Sequence, residues 1–256
     1  MRNFRMLLQY EGTRYQGWQR QESTDNTIQG KLEMLLFKMT GQKIEIQGAG
    51  RTDAGVHALG QVANFHADTQ MTEKEILEYM NRYLPEDIAV ISLKEASERF
   101  HSRLNATGKT YCYRVIHSEL PHVFDRRHAH VVEQKLDVRA MEEAAQYLVG
   151  THDFKAFTSN KRGKKSTVRT LESSQIEEHV SASMQMQGLQ DEICFLYRGD
   201  GFLYHMVRII TGTLLEVGAH KRKPEEIAEI LASGLRERAG ELAPAKGLTL
   251  LEVRYQ

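Results

Sequence analysis

The chain has few cysteines and no long apolar run. Its 256 residues include two cysteines, Cys112 and Cys194, each inside an apolar stretch typical of a strand. Two thiols are too few for a disulfide scaffold or a cysteine-based zinc site, so we expect both to be buried in a reducing cytoplasm. No apolar run approaches the roughly 20 residues that a membrane span needs, and Met1 leads directly into a predicted strand. We therefore expect neither a membrane anchor nor a signal peptide.

The chain also lacks net charge. Lys plus Arg and Asp plus Glu each number 34, so the formal net charge is zero. This balance disfavours a nucleic-acid partner, because phosphate binding needs clustered cations, although a neutral chain can still carry one basic face. Hydrophobic residues make up 41% of the chain, enough to bury a core, which excludes intrinsic disorder. The length suits one large domain or two of roughly 120 residues.

Hydrophobic periodicity predicts two α+β halves of similar plan, residues 1–117 and 136–256, joined by a connecting segment without clear period at 118–135. In the first half we expect strands at 4–10, 43–47, 61–66, 88–93 and 110–116, and helices at 28–39 and 72–84. In the second half we expect helices at 138–149 and 202–217, a short helix after Pro224, and strands at 168–176, 193–198 and 247–255. Such a plan favours a sheet with a cleft between the halves.

The segment between two predicted strands of the first half has the sequence GAGRTDAGVHA, residues 48–58. It places the carboxylate of Asp53 near the cation of Arg51, on a backbone with three glycines. Glycine lets a backbone approach a ligand closely, and loops held by strands often carry the chemistry of a site. On spacing alone, the alternative is a tight turn in which Asp53 accepts backbone hydrogen bonds and Arg51 forms a surface ion pair.

Three further segments combine aromatic, apolar and cationic residues. Residues 10–21, YEGTRYQGWQRQ, could stack on bases and contact phosphates, or could bury Trp18 in the core. Tyr111 and Tyr113 lie on one face of a predicted strand, where core packing is the usual role of aromatic rings. In FLYHMVRIITG, residues 202–212, Arg208 either needs a buried partner or extends to solvent.

One stretch is strongly basic. Within fifteen positions that contain no acid lie six cations, namely Lys155, Lys161, Arg162, Lys164, Lys165 and Arg169. The stretch is suited to clamping phosphates, although charge runs are also found simply solvated. His128 and His130 have poor spacing for metal ligands and no cysteine nearby, so we expect no metal site.

These segments together resemble the TruA family of tRNA pseudouridine synthases. The resemblance is carried by GRTDAGVHA at 50–58, by residues 10–21, by FHSR and TGKTYCYR at 100–114, by residues 202–212 and by APAKGL at 243–248. It spans essentially the whole chain, with Glu11 and Ser102 as small departures from the family pattern. The implied fold is two ferredoxin-like (RRM-like) α+β halves that form a continuous antiparallel sheet, with helices on one face and a central active-site cleft.

The resemblance also implies roles for individual residues. Asp53 would be the catalytic nucleophile, Arg208 its ion-pair partner, and Tyr111 the ring that stacks on the target uracil. The resemblance implies that Arg51 and Leu248 bind the substrate. Given an RNA substrate, we expect Trp18, Lys161, Arg162, Lys164 and Lys165 to bind it as well. The implied reaction converts uridine to pseudouridine in the tRNA anticodon stem-loop, without a cofactor or metal, in a homodimer.

Two alternatives remain open at this point. The same chemistry could act on ribosomal RNA, or the chain could be a non-catalytic RNA-binding module. The second is disfavoured by the presence of Asp53, Arg208 and Tyr111, because binding alone does not need that trio.

Overall fold

A computed structural model describes residues 1–160, 166–179 and 192–256. The chain divides into two compact units. The first comprises residues 1–107 together with 249–256, and the second comprises residues 108–248. The C-terminal end of the chain therefore belongs with the N-terminal unit, although the second unit lies between them in sequence.

The first unit begins with a βαββαβ arrangement. Its elements are β1 (Arg2–Tyr10), α1 (Ile28–Thr40), β2 (Gln47–Gly48), β3 (His57–Ala67), α2 (Glu73–Tyr83) and β4 (Ile88–Ala96). Strand β1 lies between β3 and β4 and is antiparallel to both, while β2 pairs antiparallel with the other side of β3. This spatial order, β4-β1-β3-β2, is that of a ferredoxin-like fold, as expected.

Both helices of this unit begin where the sequence predicts. The side chain of Thr27 caps α1 by accepting from the Gly30 N–H, and α1 ends at Gly41 in the left-handed conformation, with φ of 72°. In α2, Thr72 and Glu75 form the predicted capping box. The apolar stripe of α1, which includes Ile28, Leu32 and Leu36, is buried as its helical spacing indicates.

The predicted strand at residues 43–47 is wrong over most of its length. Only Gln47 and Gly48 pair with β3. The N–H of Ile46 instead donates to the Glu33 carboxylate (3.0 Å), and the Ile46 carbonyl accepts from the side-chain amide of Gln29 (3.2 Å). Side chains of α1 thus satisfy backbone groups that strand pairing would otherwise have used.

The second unit has a similar plan with two additional short strands. Its elements are β5 (Ala106–His117), β6 (His130–Val132), α3 (Val138–Gln146), β7 (Gly150–Asp153), β8 (Val168–His179), β9 (Glu192–Gly199), α4 (Met206–Gly218) and α5 (Glu226–Ser233). Strands β5, β9, β8 and β7 follow one another in that order and are antiparallel, whereas β6 pairs parallel with β5.

Periodicity misplaced two helix ends in this unit. Helix α4 begins at Met206, four residues later than predicted, because His205 adopts a left-handed backbone with φ of 65°. Helix α3 ends at Gln146, before the short strand β7, and neither β6 nor β7 was predicted. The end of α3 is followed by Gly150 with φ of 114°, a conformation that an L side chain rarely adopts.

The last strand, β10 (Leu248–Tyr255), returns to the first unit. Thr249 and Leu250 pair parallel with His57 and Ala58 of β3. The α+β class is therefore confirmed. Among the described strand pairs within each unit, all are antiparallel, as predicted, except the parallel pairs β3–β10 and β5–β6. Among the helices in the described ranges, none combines the length and apolar character needed to cross a bilayer.

Candidate active site

The segment that carries Asp53 connects β2 to β3 and has no regular structure of its own. Its tip is a turn in which the Val56 N–H donates to the Asp53 carbonyl (3.2 Å), with Gly55 in the left-handed region at φ of 80°. The Asp53 side chain is half-buried and Arg51 is exposed. A carboxylate and a cation two residues apart thus lie at the start of this turn.

The backbone of residues 12–18 packs directly against this turn. The Trp18 N–H donates to the Thr52 carbonyl (3.0 Å), and the Gly55 N–H lies 3.4 Å from the Tyr15 carbonyl. Gly17 has φ of 91°, and a Cβ there would lie 2.7 Å from the Thr52 carbonyl oxygen. A Cβ at Gly12 would lie 2.0 Å from the Val56 carbonyl oxygen. Both glycines are therefore required by the close approach of the two segments.

Trp18 is buried in the core of the first unit. Its indole is 2% exposed, and its ring centroid lies 6.0 Å from that of the buried Tyr10. Its main chain packs against the Asp53 turn, and the predicted contact of Trp18 with the substrate stays a prediction. The alternative considered from sequence, a tryptophan in the core, is the arrangement that the structure has.

In the second unit, Tyr111 lies on β5 opposite Tyr197 of β9. Its side chain is 7% exposed, and its ring meets that of Phe202 edge to face, with centroids 5.1 Å apart and an interplanar angle of 81°. This geometry is a favourable one for two aromatic rings. Phe202 was not singled out as a site residue from the sequence, although it begins the segment that resembles the family.

Tyr113 lies two residues further along the same strand face and is fully buried. Its hydroxyl donates to the Pro244 carbonyl (2.8 Å), and Gly247 lies against its ring. Burial raises the pKa of Tyr113, and the nearby positive charge of Arg208 partly opposes that rise. Tyr113 is therefore a core residue that links β5 to the segment preceding β10.

Arg208 occupies the first turn of α4 and is half-buried. Its Nε donates to the Ala243 carbonyl (2.7 Å), and its own carbonyl accepts from the Ala243 N–H (3.2 Å). One of these bonds holds the guanidinium against the Ala243 carbonyl, and the other joins the main chains of the two residues. The predicted pairing of Arg208 with Asp53 stays a prediction.

Leu248 begins β10 directly after a short 3₁₀ turn, Ala245–Gly247, and is buried. Residues 243–248 therefore contribute Leu248 itself and bind both Arg208 and Tyr113. The sequence identified this segment only through the family resemblance. Lys161, Arg162, Lys164 and Lys165 lie outside the described residues.

Comparison with known proteins gives a consistent result along the chain. A family model described as tRNA pseudouridine synthase matches residues 6–105 and 144–256. A protein named tRNA pseudouridine synthase A from Bacillus sp. (strain KSM-64) is 48% identical over 256 residues, with 100% of both chains covered. One named tRNA pseudouridine synthase A 1, from Clostridium tetani (strain Massachusetts / E88), is 46% identical over 255 residues, again with 100% of both covered.

Among solved structures, a chain in the crystal structure of a Cbf5–Nop10–Gar1 complex aligns with 96% of this chain and 48% of its own length. The identity is 11% and the TM-score is 0.35, so this alignment carries no weight beside the sequence matches. The two full-length matches include the Asp53 turn, β5 and α4, and with the family model they define the class, a pseudouridine synthase. The chain belongs to the TruA family of tRNA pseudouridine synthases.

Proposed function

We propose that this chain isomerises uridine to pseudouridine in the anticodon stem-loop of tRNA. The observation that carries the proposal is the Asp53 turn, set within a full-length match to proteins named tRNA pseudouridine synthase A. The reaction breaks the N1–C1′ bond, turns the base and joins C5 to C1′, and the proton lost from C5 is balanced by one gained at N1. The product has the same atoms as the substrate, so the reaction needs neither an oxidant nor a group donor.

The proposed sequence of events starts with extrusion of the target nucleotide from its stack, which costs a few kcal/mol. Arg51 is exposed just before the Asp53 turn, and we propose that it occupies the space that the base vacates. Tyr111 and Leu248 then contact the two faces of the uracil. The edge-to-face contact with Phe202 holds the Tyr111 ring in one orientation, so less freedom is lost when a base binds.

Asp53 is the proposed catalytic residue. Its carboxylate either attacks C1′ as a nucleophile or assists formation of a glycal, and both routes end in C–C joining. Arg208 is proposed as the cation that keeps this carboxylate ionised, because an opposite charge within a few ångströms favours the charged form. The bond from the Arg208 Nε to the Ala243 carbonyl supports this role, since it orients the guanidinium.

The test is tritium release from tRNA transcripts that carry 5-tritiated uridine. We expect release by the wild-type protein and none by Asp53→Ala, while affinity for tRNA stays within about tenfold, or about 1.4 kcal/mol. Asp68→Ala, which removes an exposed carboxylate just after β3, is the matched control and should behave like wild type. Tritium release from ribosomal RNA transcripts alone would show that the substrate is ribosomal RNA and not tRNA. Release from neither RNA would refute the proposal.

The basic residues Lys161, Arg162, Lys164 and Lys165 are proposed to bind phosphates of the tRNA, on the strength of their charge. Replacing all four with glutamine should weaken binding and flatten its salt dependence, because each phosphate contact releases counterions. The measurement is the equilibrium constant for tRNA across a series of salt concentrations. If the salt dependence of the binding constant is unchanged, these residues do not contact the tRNA phosphates.

We further propose that the protein acts as a homodimer, as the family resemblance implies. We also propose that it is cytoplasmic, because its two cysteines suit a reducing compartment. Light scattering from the purified protein tests the assembly directly, and a mass equal to one chain would contradict it.

A further inference from the structure

Three buried polar side chains of the first unit meet beneath the Asp53 turn. Tyr10 ends β1, Gln61 lies on β3, and Thr52 immediately precedes Asp53. Their exposed fractions are 4%, 0% and 7% respectively. Buried polar groups are costly unless hydrogen-bonded, so a cluster of three at this place needs an explanation.

The hydrogen bonds in this cluster hold the turn on both sides of Arg51. The side-chain amide of Gln61 donates to the Gly50 carbonyl (2.9 Å) and to the Tyr10 hydroxyl (3.3 Å). The Tyr10 hydroxyl also lies 2.9 Å from the hydroxyl of Thr52. One contact therefore fixes the main chain before Arg51, and the other fixes the side chain immediately before Asp53.

Tyr10 is not suited to proton transfer at neutral pH. Burial raises its pKa to about 12, and the hydrogen bonds from Thr52 and Gln61 only partly offset that rise. The hydroxyl thus stays protonated and keeps its hydrogen bonds throughout the neutral range. The Tyr10 hydroxyl can therefore contribute to the site through its hydrogen bonds near the turn, and not as an acid or base.

We infer that Tyr10 and Gln61 are positioning residues for Asp53. This inference rests on the proposed function of Asp53. Without the Tyr10 hydroxyl, the Thr52 side chain loses a buried partner and the turn gains alternative conformations. A smaller fraction of the protein then holds the carboxylate where it can react, and small misplacements of reacting groups are costly. Binding of the RNA, which is spread over many contacts, is affected much less.

The first experiment compares Tyr10→Phe with wild type. We expect the single-turnover rate of tritium release to fall about tenfold, while the dissociation constant for tRNA changes less than about twofold. Tyr255→Phe is the matched control, because it also removes a tyrosine hydroxyl from the first unit. That hydroxyl donates to the Ser102 carbonyl (2.6 Å). The control should keep the wild-type rate, and an equal rate for Tyr10→Phe would overturn the inference.

A double-mutant cycle tests whether Tyr10 acts through Thr52. Thr52→Val removes the hydroxyl at nearly constant volume, and Thr52→Ser retains it. We expect Val to lower the rate and Ser to restore most of it. Tyr10→Phe combined with Thr52→Val should be no slower than the worse single variant, because both remove one shared bond. Fully additive effects would mean that the two hydroxyls act independently and would overturn the inference.

Hydrogen exchange gives a readout that does not depend on activity. Amide protons of the peptide spanning residues 49–56 should exchange faster in Tyr10→Phe than in wild type or Tyr255→Phe. Unchanged exchange there would overturn the positioning role even in an active enzyme. If wild-type protein releases no tritium from any RNA, the proposed function fails, whereas the exchange result still decides whether Tyr10 holds the turn.

Discussion

At the scale of single residues, two side chains with the same position in a sequence pattern can have different roles, because their surroundings differ. Tyr111 and Tyr113 lie on the same face of β5, and each is a plausible core residue by spacing. The structure gives Tyr113 a carbonyl partner, Pro244, whereas Tyr111 has an aromatic neighbour, Phe202. Trp18 shows the reverse case, because a promising residue in the sequence is enclosed in the core.

The proposed stacking role of Tyr111 predicts an unequal response to two substitutions. Tyr111→Phe keeps the ring and its contact with Phe202, so the rate of tritium release should stay within about threefold of wild type. Tyr111→Ala removes the ring, whose stacking on a base is worth about 1–3 kcal/mol, so a loss of more than about tenfold is expected. Equal losses for both variants would assign the role to the hydroxyl instead.

At the scale of elements, local signals identified most helices and strands. The capping box of α2 and the apolar stripe of α1 are each encoded within a few consecutive residues, and both are confirmed. The errors occur where distant groups compete for the backbone. Residues 43–46 alternate like a strand, yet Glu33 and Gln29 of α1 bind the backbone of Ile46.

The capping box predicts a measurable contribution of Thr72 to stability. Its hydroxyl accepts from the Glu75 N–H, and the Glu75 carboxylate accepts from the Thr72 N–H (2.8 Å). Thr72→Ala removes the first of these two hydrogen bonds. It should lower the free energy of unfolding by about 1 kcal/mol, measured by urea denaturation. Thr72→Ser keeps the hydroxyl and is the control. Equal stability of the Ala and Ser variants would show that the cap contributes nothing.

At the scale of the whole molecule, the chain is arranged in a way that sequence order conceals. The last strand, β10, joins the first unit and pairs with β3 at His57 and Ala58, where the Asp53 turn ends. The paired residues, His57 and Thr249, are 192 positions apart in the chain. No local pattern encodes such a pairing.

The pH dependence of stability should carry a contribution from His130. Burial, together with the charge of Lys246, lowers the pKa of His130 below its ordinary value near 6.5. The unfolded chain therefore binds a proton more readily than the folded protein, so stability is lost as the pH falls below about 6.5. The loss continues through the folded-state pKa and levels off only below it.

The check is the free energy of unfolding of wild type and His130→Gln between pH 7.5 and pH 5. We expect the wild type to lose more stability than the variant over this interval, since glutamine does not titrate. Parallel curves would mean that the surroundings of His130 accept its charge without cost.

The sequence by itself determined the family, the α+β class, most helix starts and the identity of Asp53, Arg208 and Tyr111 as candidates. These are properties of consecutive residues, where spacing and side-chain chemistry are both visible. Only the tertiary structure decided that Trp18 is enclosed, that Ala243 holds Arg208, and that Tyr10 and Gln61 meet beneath the Asp53 turn. Each of these depends on contacts between residues far apart in the chain, which exist only once the sheet has brought its strands together.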